Sequence, residues 1–252
     1  MTWSIVARDS SGAFGVAVAS RFFAVGALCP YARSGVGALA TQALVNPHYG
    51  PAGLDLLAAG RAPVDVIGTL TAADPGREVR QLHLIGRHGP AAAFTGSACV
   101  DWCGHVTDEA FSVAGNMLAG ARVVNDAADT FRALAHLGLA ERLLAAMDAG
   151  EAAGGDKRGK QAAALSIVTT ERYPVLDLRV DDHPEPLAEL RRLYARSLER
   201  FQPFVACLPS RANPVGIVDR ALIEREVERF QAKRHGATVD NRGGEERGGY
   251  RR

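Results

Sequence analysis

Residues 2–21 read TWSIVARDSSGAFGVAVASR, two apolar runs on either side of a polar turn. The first run, residues 4–7, predicts a strand, and the second, residues 15–19, predicts a strand that returns beside it. Residues 9–12, DSSG, are of the types that form tight turns by bonding back to their own backbone. The stretch therefore predicts a β-hairpin that begins almost at the first residue of the sequence.

Thr2 stands immediately before the first predicted strand, and this placement has a chemical consequence. An initiator methionine is expected to be removed when the next residue is as small as threonine, which leaves Thr2 with a free α-amine. A threonine whose own amine acts as its base is a known type of nucleophile. The alternative is that Thr2 only begins the strand and has its hydroxyl satisfied there. Ser4 and Ser20 are the competing hydroxyls, and Ser20, at the end of the second strand, is also predicted to bind substrate in the same cleft.

The composition is that of an ordinary globular protein, and 252 residues suffice for one large domain or two small ones. The formal net charge of +1 argues against a nucleic acid or an anionic membrane surface as partner. No apolar run approaches a membrane span, and Arg8 and Asp9 interrupt the first run too early for a secretory signal. Four cysteines are few for a disulfide framework. We therefore expect a cytoplasmic protein.

The rest of the chain places groups of strands between pairs of helices. Further strands are predicted at residues 35–43, 80–86, 91–95, 111–117, 162–169 and 176–180. Helix pairs are predicted between residues 50 and 73 and over residues 120–149, so that strands and helices do not alternate one by one. This order excludes a doubly wound parallel sheet. Strands that are apolar on both faces are typical of burial on both sides. The prediction is an α+β fold, a four-layer αββα sandwich of two antiparallel sheets.

Three segments are predicted along the chain. Residues 1–200 form the αββα domain and end in a long helix over 184–200. Residues 201–234 form an extension with an amphipathic helix over 218–233, whose apolar stripe favours a homodimer. Residues 235–252 are rich in glycine and charge with almost no apolar side chains, and we expect them to be disordered.

Several segments together carry a resemblance to a known family. They are SIVARD, GVGALATQALVNPHYGP, FTGSACVDWCGH, FSVAGNML and AGGDKRGKQAAAL. Over about residues 2–200 the chain resembles the family called domain of unknown function 1028, placed within the N-terminal-nucleophile (Ntn) hydrolase superfamily. The resemblance implies an αββα sandwich, and the superfamily implies cleavage of amide bonds by an N-terminal Thr, Ser or Cys. It implies no particular substrate.

The opening hairpin is also similar to the start of proteasome β-subunits. There a threonine precedes a strand–turn–strand that ends in Ser-Arg, the place that Ser20 and Arg21 hold here. Those subunits carry an aspartate immediately before the Ser-Arg pair, and this chain has Ala19 instead. The supporting carboxylate is therefore missing from its expected position.

Two residues near the predicted nucleophile are candidates for supporting roles. Arg21 has the charge to hold a substrate carboxylate or to lower the pKa of the Thr2 amine, and the alternative is a surface ion pair. Asn116 ends the FSVAGN strand, where its side-chain amide is a candidate donor to an oxyanion. The alternative for Asn116 is a bond within the local turn.

Residues 154–161, GGDKRGKQ, are the most concentrated polar motif. The letters fit G-x-x-x-x-G-K, but Gln161 replaces the Ser or Thr of a nucleotide-binding P-loop, and the motif follows a helix where a P-loop follows a strand. We instead expect a rigid cationic loop. In it Lys157 supplies positive charge to the nucleophile, and Asp156, Lys160 and Gln161 bind substrate. The alternative is a solvated charged turn.

Cysteine and histidine residues do not predict a metal site. Cys99, Cys103 and His105 fall short of a closed four-ligand zinc set, so neither a metal nor another cofactor is predicted. Cys29 is a candidate reactive thiol only in an electropositive environment.

Two hypotheses of function follow. The first is an amidohydrolase that cleaves a small amide or N-acyl substrate. Thr2 is its nucleophile, Asn116 and backbone amides stabilise the oxyanion, and Arg21 and Lys157 supply positive charge. The second is a non-catalytic module that binds a small anionic metabolite in the loop at 154–161.

Overall fold

The structure is a computed structural model that describes the backbone of residues 2–243 and the side chains of residues 2–234. The strands are β1 (Thr2–Arg8), β2 (Phe14–Ser20), β3 (Pro30–Arg33), β4 (Gly37–Ala43), β5 (Arg80–Gly86), β6 (Ala92–Thr95), β7 (Trp102–Thr107), β8 (Phe111–Leu118), β9 (Ala162–Val168) and β10 (Leu176–Val180). The α-helices are α1 (Tyr49–Ala58), α2 (Pro63–Ala72), α3 (Arg122–Ala133), α4 (Leu139–Ala152), α5 (Pro186–Ser197), α6 (Phe201–Val205) and α7 (Arg220–Gly243).

The predicted opening hairpin is confirmed. β1 and β2 pair antiparallel from Thr2 opposite Ser20 to Arg8 opposite Phe14. The turn between them is closed by the Asp9 carboxylate, which accepts hydrogen bonds from the Ser11 hydroxyl at 2.6 Å and from the backbone N–H of Ser11 at 2.9 Å. This is the local bonding that favours aspartate in turns. The hairpin register alone therefore brings Thr2 and Ser20 together.

Two antiparallel sheets confirm the α+β class. One sheet has six strands in the order β10-β9-β2-β1-β8-β7, and the other has four in the order β3-β4-β5-β6. Within the four-stranded sheet, alternate residues of β4 pack in different apolar clusters. Ala38 and Ala40 pack with Val16 and Val18 of β2, whereas Leu39 packs with residues of α1 and α2. Both faces of β4 are therefore buried, because successive side chains of a strand point to opposite faces.

Helices contact the sheets in pairs. α1 contacts β4, and α2 contacts β5 and β6, while α3 and α4 contact each other and the strands β1, β2 and β8 of the six-stranded sheet. The sheets also contact each other directly through β1 with β4 and β5, and through β5 with β8. Small side chains permit this close approach, with β1, β2, β4 and β5 contributing mainly Ala and Val to the shared cluster.

Two strands and one short helix occur where the sequence patterns indicated irregular chain. β3 begins at Pro30, and β7 has a register shift between Trp102 and Gly104. Both strands lie at sheet edges, where proline and irregular pairing are tolerated because one side of the strand makes no ladder. α6 lies in the part of the predicted extension, before residue 218, for which no helix was predicted. Each edge strand pairs with the strand that follows it in the chain, β3 with β4 and β7 with β8, but its own residues are at most partly buried, so no apolar periodicity reveals it.

The described chain divides into two compact units, one ending at Arg192 and the other beginning at Leu193, inside α5. In the second unit, Arg200 forms an ion pair of 2.6 Å with Glu224 of α7. α7 continues through Gly243, beyond the predicted helix end at Lys233 and into the segment predicted as disordered from His235. Ala, Arg, Lys and Gln near residue 233 are good helix formers, which favours extension of a helix already begun. The remainder of the predicted tail, 244–252, lies outside the described residues. Among the helices described, none combines the length and the apolar character that a bilayer crossing requires.

Candidate functional site

The six-stranded sheet brings three of the predicted site residues together. Thr2 lies directly opposite Ser20 of β2 on one side and opposite Asn116 of β8 on the other. The hydroxyls of Thr2 and Ser20 are 3.1 Å apart, and the Asn116 Nδ2 makes a long contact of 3.5 Å with the Thr2 carbonyl oxygen. All three side chains are buried. Residues opposite one another in a sheet share a face, so the three polar groups point the same way.

A small pocket of about 60 Å³ opens beside Thr2. Its walls come from the start of β1, from the segment that follows β2, and from the end of β4. The lining residues are Thr2, Phe22, Val25, Leu28, Cys29, Thr41, Gln42, Ala43 and Val45. A hydroxyl at the edge of a pocket next to a second hydroxyl is an arrangement suited to attack on a bound carbonyl carbon.

Backbone strain concentrates around this pocket. Ala24, Ala43 and Met117 have φ values of 51°, 67° and 52°, in the left-handed region that disfavours residues with a Cβ. Ala24 precedes a pocket residue, Ala43 lines the pocket, and Met117 follows Asn116. Such conformations cost about 1 kcal/mol or more each and cluster at functional sites. The strain therefore marks the same region as the hydroxyl pair.

A buried polar network joins the two sheets through Gln81. Its Nε2 donates to the carbonyls of Gly115 at 2.9 Å and Gly104 at 3.1 Å, and contacts the Thr95 hydroxyl at 2.8 Å. Its Oε1 accepts from Gln42 Nε2 at 2.7 Å and from Asn116 Nδ2 at 3.0 Å. Gln81 is fully buried. Because a carbonyl only accepts, the two glycine carbonyls fix which end of the Gln81 amide is the donor.

The direction of each neighbouring hydrogen bond follows from Gln81. Gln42 must present its Nε2 to Gln81, so its Oε1 accepts from the Ser4 hydroxyl at 2.6 Å. Because the Ser4 hydroxyl donates its one proton to Gln42, it can only accept from His83 Nε2, which lies 2.8 Å away. His83 is therefore the tautomer protonated at Nε2, and its Nδ1 accepts from the Ser112 hydroxyl at 3.0 Å. The network has one proton arrangement and leaves His83 neutral.

His83 is held neutral by burial as well as by this arrangement. Burial, with a smaller effect of charge on His105, lowers the His83 pKa from 6.5 to about 3. The unfolded chain takes up a proton on His83 as the pH falls below about 6.5, whereas the folded chain resists it down to about 3. The stability of the fold therefore decreases as the pH falls through this window.

We expect the free energy of unfolding to drop by about 2 kcal/mol between pH 7 and pH 5 on account of His83 alone. Urea unfolding at the two pH values measures the drop in the parent and in His83→Gln, which has no titrating ring. The variant should lose about 2 kcal/mol less than the parent over the same interval. His136→Gln, which removes a solvent-exposed histidine, is the control. An equal drop in the parent and in His83→Gln would contradict the assignment of a neutral His83.

Asn116 is fixed in the same way and presents an acceptor. Gln81 Oε1 holds the Nδ2 end of Asn116, and within the described residues the buried Asn116 Oδ1 has no hydrogen-bond partner. A buried acceptor without a partner costs about 1–3 kcal/mol, so its retention calls for a functional explanation. An oxyanion needs donors, and the hydrogen bonds therefore favour a different role for Asn116 from the one predicted.

The loop at 154–161 is held to the end of β2 by Asp156. The Asp156 carboxylate accepts from the backbone N–H of Arg21 at 3.0 Å and of Arg158 at 2.9 Å, and its side chain is fully buried. The Arg21 guanidinium donates to the Arg158 carbonyl. Gln161 closes the attachment, its N–H donating to the Ser20 carbonyl at 3.1 Å and its Nε2 to Asp182. Asp156, Arg21 and Gln161 therefore bond to the protein, and none of them lines the pocket beside Thr2.

The lysines of this loop are paired with carboxylates. Lys157 lies 3.0 Å from Asp101, and Lys160 lies 3.0 Å from Glu151 and also pairs with Glu185. Neither lysine lines the pocket beside Thr2. This pairing with carboxylates lends no support to the loop as a cradle for anions.

The candidate cysteine and histidine ligands make other contacts. Cys99 Sγ donates to the Arg80 carbonyl at 3.3 Å, Cys103 Sγ contacts the Cys99 carbonyl at 3.7 Å, and His105 Nδ1 lies 2.9 Å from the Thr95 hydroxyl. Across the described part of the chain, no three such side chains are grouped as metal ligands. Cys29 lies in the pocket wall, where burial raises the pKa of its thiol, so it remains protonated and unreactive.

Sequence patterns missed the residues of the network, although one signal for them exists. Gln42, Gln81 and His83 are polar residues inside strands that were predicted to be buried on both faces. Buried polar side chains are almost always hydrogen-bonded, so such residues predict partners on a facing sheet. The identity of those partners needs the stacking of the sheets.

Comparison with known proteins gives a family and solved structures that are similar to this chain. A model of a family of unknown function, DUF1028, matches residues 2–190. The crystal structure of protein SPO2555 from Silicibacter pomeroyi, in the same family, is similar with a TM-score of 0.80 and 33% identity, over 86% of this chain and 99% of that one. Anbu (ancestral beta-subunit) from Yersinia bercovieri matches with a TM-score of 0.37 and 16% identity, over 82% and 98% of the chains, which is too weak to carry an argument. No curated protein matches.

Proposed function

The chain belongs to the family of unknown function DUF1028, whose description assigns no reaction, and from the geometry around Thr2 we propose that it is an Ntn-type hydrolase of small amides or N-acyl compounds. The observation that carries the proposal is the Thr2 hydroxyl at the edge of a pocket, 3.1 Å from the Ser20 hydroxyl. The proposal includes removal of Met1, which gives Thr2 a free α-amine.

The proposed reaction has two steps. In the first, the α-amine takes the proton of the Thr2 hydroxyl as Oγ1 attacks the amide carbonyl, and the same proton passes to the leaving nitrogen as the C–N bond breaks. This leaves an ester between the acyl group and Oγ1. In the second step, water attacks the ester, with the amine again as base, and releases the acid. Ser20, 3.1 Å from Oγ1, is placed to relay the proton.

Asn116 Oδ1 is the acceptor we assign to the freed amine. Asn116 lies opposite Thr2 in the sheet, and Gln81 prevents its amide from turning over. This oxygen would orient the amine, and the amine N–H would supply the hydrogen-bond partner that Asn116 Oδ1 lacks among the described residues. Backbone N–H groups at the pocket are the remaining donors for the oxyanion. Arg21 and Lys157 have no part in the proposal, because other groups of the protein engage them.

The proposed architecture is the four-layer αββα sandwich. Its support is that α1 and α2 contact the four-stranded sheet, α3 and α4 contact the six-stranded sheet, and β1 and β4 contact each other between them. In this arrangement the pocket lies where β1 begins and β4 ends.

The test distinguishes the role of the Thr2 α-amine from that of the Thr2 hydroxyl. The chain is made with an N-terminal fusion partner that a protease removes immediately before Thr2, and intact mass confirms the new first residue. Hydrolysis of a panel of acyl p-nitroanilides should rise by about 10²–10⁴-fold on cleavage, because the freed amine is the general base. Equal rates before and after cleavage would exclude the amine as base. A cleaved chain that hydrolyses none of the panel would contradict the hydrolase itself.

A further inference from the structure

The pocket beside Thr2 is uncharged. Five of its lining residues present apolar side chains, namely Phe22, Val25, Leu28, Ala43 and Val45. The other four, Thr2, Cys29, Thr41 and Gln42, are neutral. Arg21, which precedes Phe22 in the sequence, donates to the Arg158 carbonyl and does not line the pocket. Lys157 is paired with Asp101 and Lys160 with Glu151.

The polar groups of the wall are already engaged within the protein. The Thr41 hydroxyl donates to the Asn46 carbonyl at 3.3 Å. Gln42 donates to Gln81, and its Oε1 accepts from Ser4 and from the Cys29 thiol. A charged or strongly polar group that entered the pocket would lose its water without gaining partners from this wall, whereas an alkyl group would lose only unfavourable hydration.

We infer that this pocket binds the acyl part of the substrate, and that the acyl group is an uncharged aliphatic chain. The inference rests on the proposed function for the position of the scissile amide at Thr2. Phe22 and Leu28 are half-exposed at the pocket, and we assign them to the mouth through which the chain enters. The amine part of the substrate then lies outside this pocket.

The kinetic test compares acyl groups of matched length on the p-nitroanilide panel, using the chain that begins at Thr2. From acetyl to butanoyl to hexanoyl, kcat/KM should rise by about fourfold for each methylene buried. The adipoyl compound has the hexanoyl length with a terminal carboxylate, and its kcat/KM should be at least about 100-fold lower than that of hexanoyl because the carboxylate loses its hydration. An adipoyl rate equal to or above the hexanoyl rate would overturn the inference, even if hydrolysis depends on Thr2.

Two pairs of variants test whether the preference for an uncharged acyl group arises in this pocket. Leu28→Lys should reverse the preference in favour of adipoyl, whereas Leu44→Lys should leave it unchanged, because Leu44 is more exposed and does not line the pocket. Phe22→Ala should lower the rate on hexanoyl but not on acetyl, and Phe23→Ala is its control at the neighbouring exposed position outside the lining. If both members of either pair behave alike, the acyl group does not occupy this pocket.

A binding measurement keeps the inference separate from catalysis. In Thr2→Val, which cannot form the ester, hexanamide should raise the unfolding temperature, and adipamate at the same concentration should not. The same rise must be lost when Leu28→Lys is added. Stabilisation by hexanamide without any hydrolysis by the parent would refute the proposed function and support the pocket assignment. Stabilisation by adipamate, or by neither compound, would refute the pocket assignment.

Discussion

Thr2→Val is expected to abolish amide hydrolysis, lowering kcat by at least about 10⁴-fold, as removal of a nucleophile does in other hydrolases. Valine keeps the shape of threonine and removes only the hydroxyl, so the variant loses one hydrogen bond, worth about 1 kcal/mol, and should remain folded. Thr2→Ser keeps both the hydroxyl and the α-amine and should retain measurable turnover. All three chains are made with the removable fusion partner, so that each begins at residue 2, and steady-state rates are compared on the hexanoyl substrate.

Thr71→Val is the matched control for Thr2→Val. Thr71 is also buried, and its hydroxyl donates to the Ile67 carbonyl inside α2, away from the pocket. Its substitution removes a buried threonine hydroxyl without touching the proposed nucleophile and should leave kcat unchanged. Turnover by Thr2→Val at the rate of Thr71→Val would show that Oγ1 does not attack the substrate.

Whether a contact of this site can be predicted from the sequence depends on how far apart its two residues lie along the chain. The pairing of Thr2 with Ser20 follows from the hairpin, because a turn over residues 9–12 fixes the register of both strands. The nearness of Asn116 requires β8 to lie beside β1, a pairing between strands that are far apart along the chain. Periodicity identifies each strand but not its neighbour, so the sequence indicated Asn116 only as an amide at the end of a strand and not as a residue beside Thr2.

Partners that are distant along the chain also limit what can be predicted for the charged loop. Residues 154–161 show three cations in the sequence, of which Arg158 pairs with Asp156 inside the loop. The partners of the two lysines come from elsewhere, with Asp101 before β7, Glu151 in α4 and Glu185 before α5. A cluster of like charges in one segment predicts a binding surface only when its counter-charges are known. Gln81 was not predicted as a site residue, because a single neutral residue in a strand creates no charge pattern.

Gln81→Leu is expected to cost about 4 kcal/mol of unfolding free energy, because several buried groups lose their partner at once. The amides of Gln42 and Asn116 lose an acceptor, and the carbonyls of Gly104 and Gly115 lose a donor. Urea unfolding at pH 7 measures the loss. Gln161→Leu is the control, since the Gln161 side chain makes one hydrogen bond, to Asp182 at the surface, and should cost less than about 1 kcal/mol. Equal losses for the two variants would show that the network contributes little.

Gln81→Glu tests the direction of the hydrogen bonds rather than the volume of the side chain. A carboxylate at this position can still accept from Gln42 and Asn116, but it offers no donor to the carbonyls of Gly104 and Gly115. Burial next to two carbonyl oxygens raises the pKa of such a carboxyl, so the folded state binds its proton more tightly than the unfolded state does. Stability relative to the parent should therefore recover as the pH falls from 7 to 5, whereas the loss in Gln81→Leu should be the same at both. A loss in Gln81→Glu that does not change with pH would mean that Gln81 fills space and does not orient Asn116 beside Thr2.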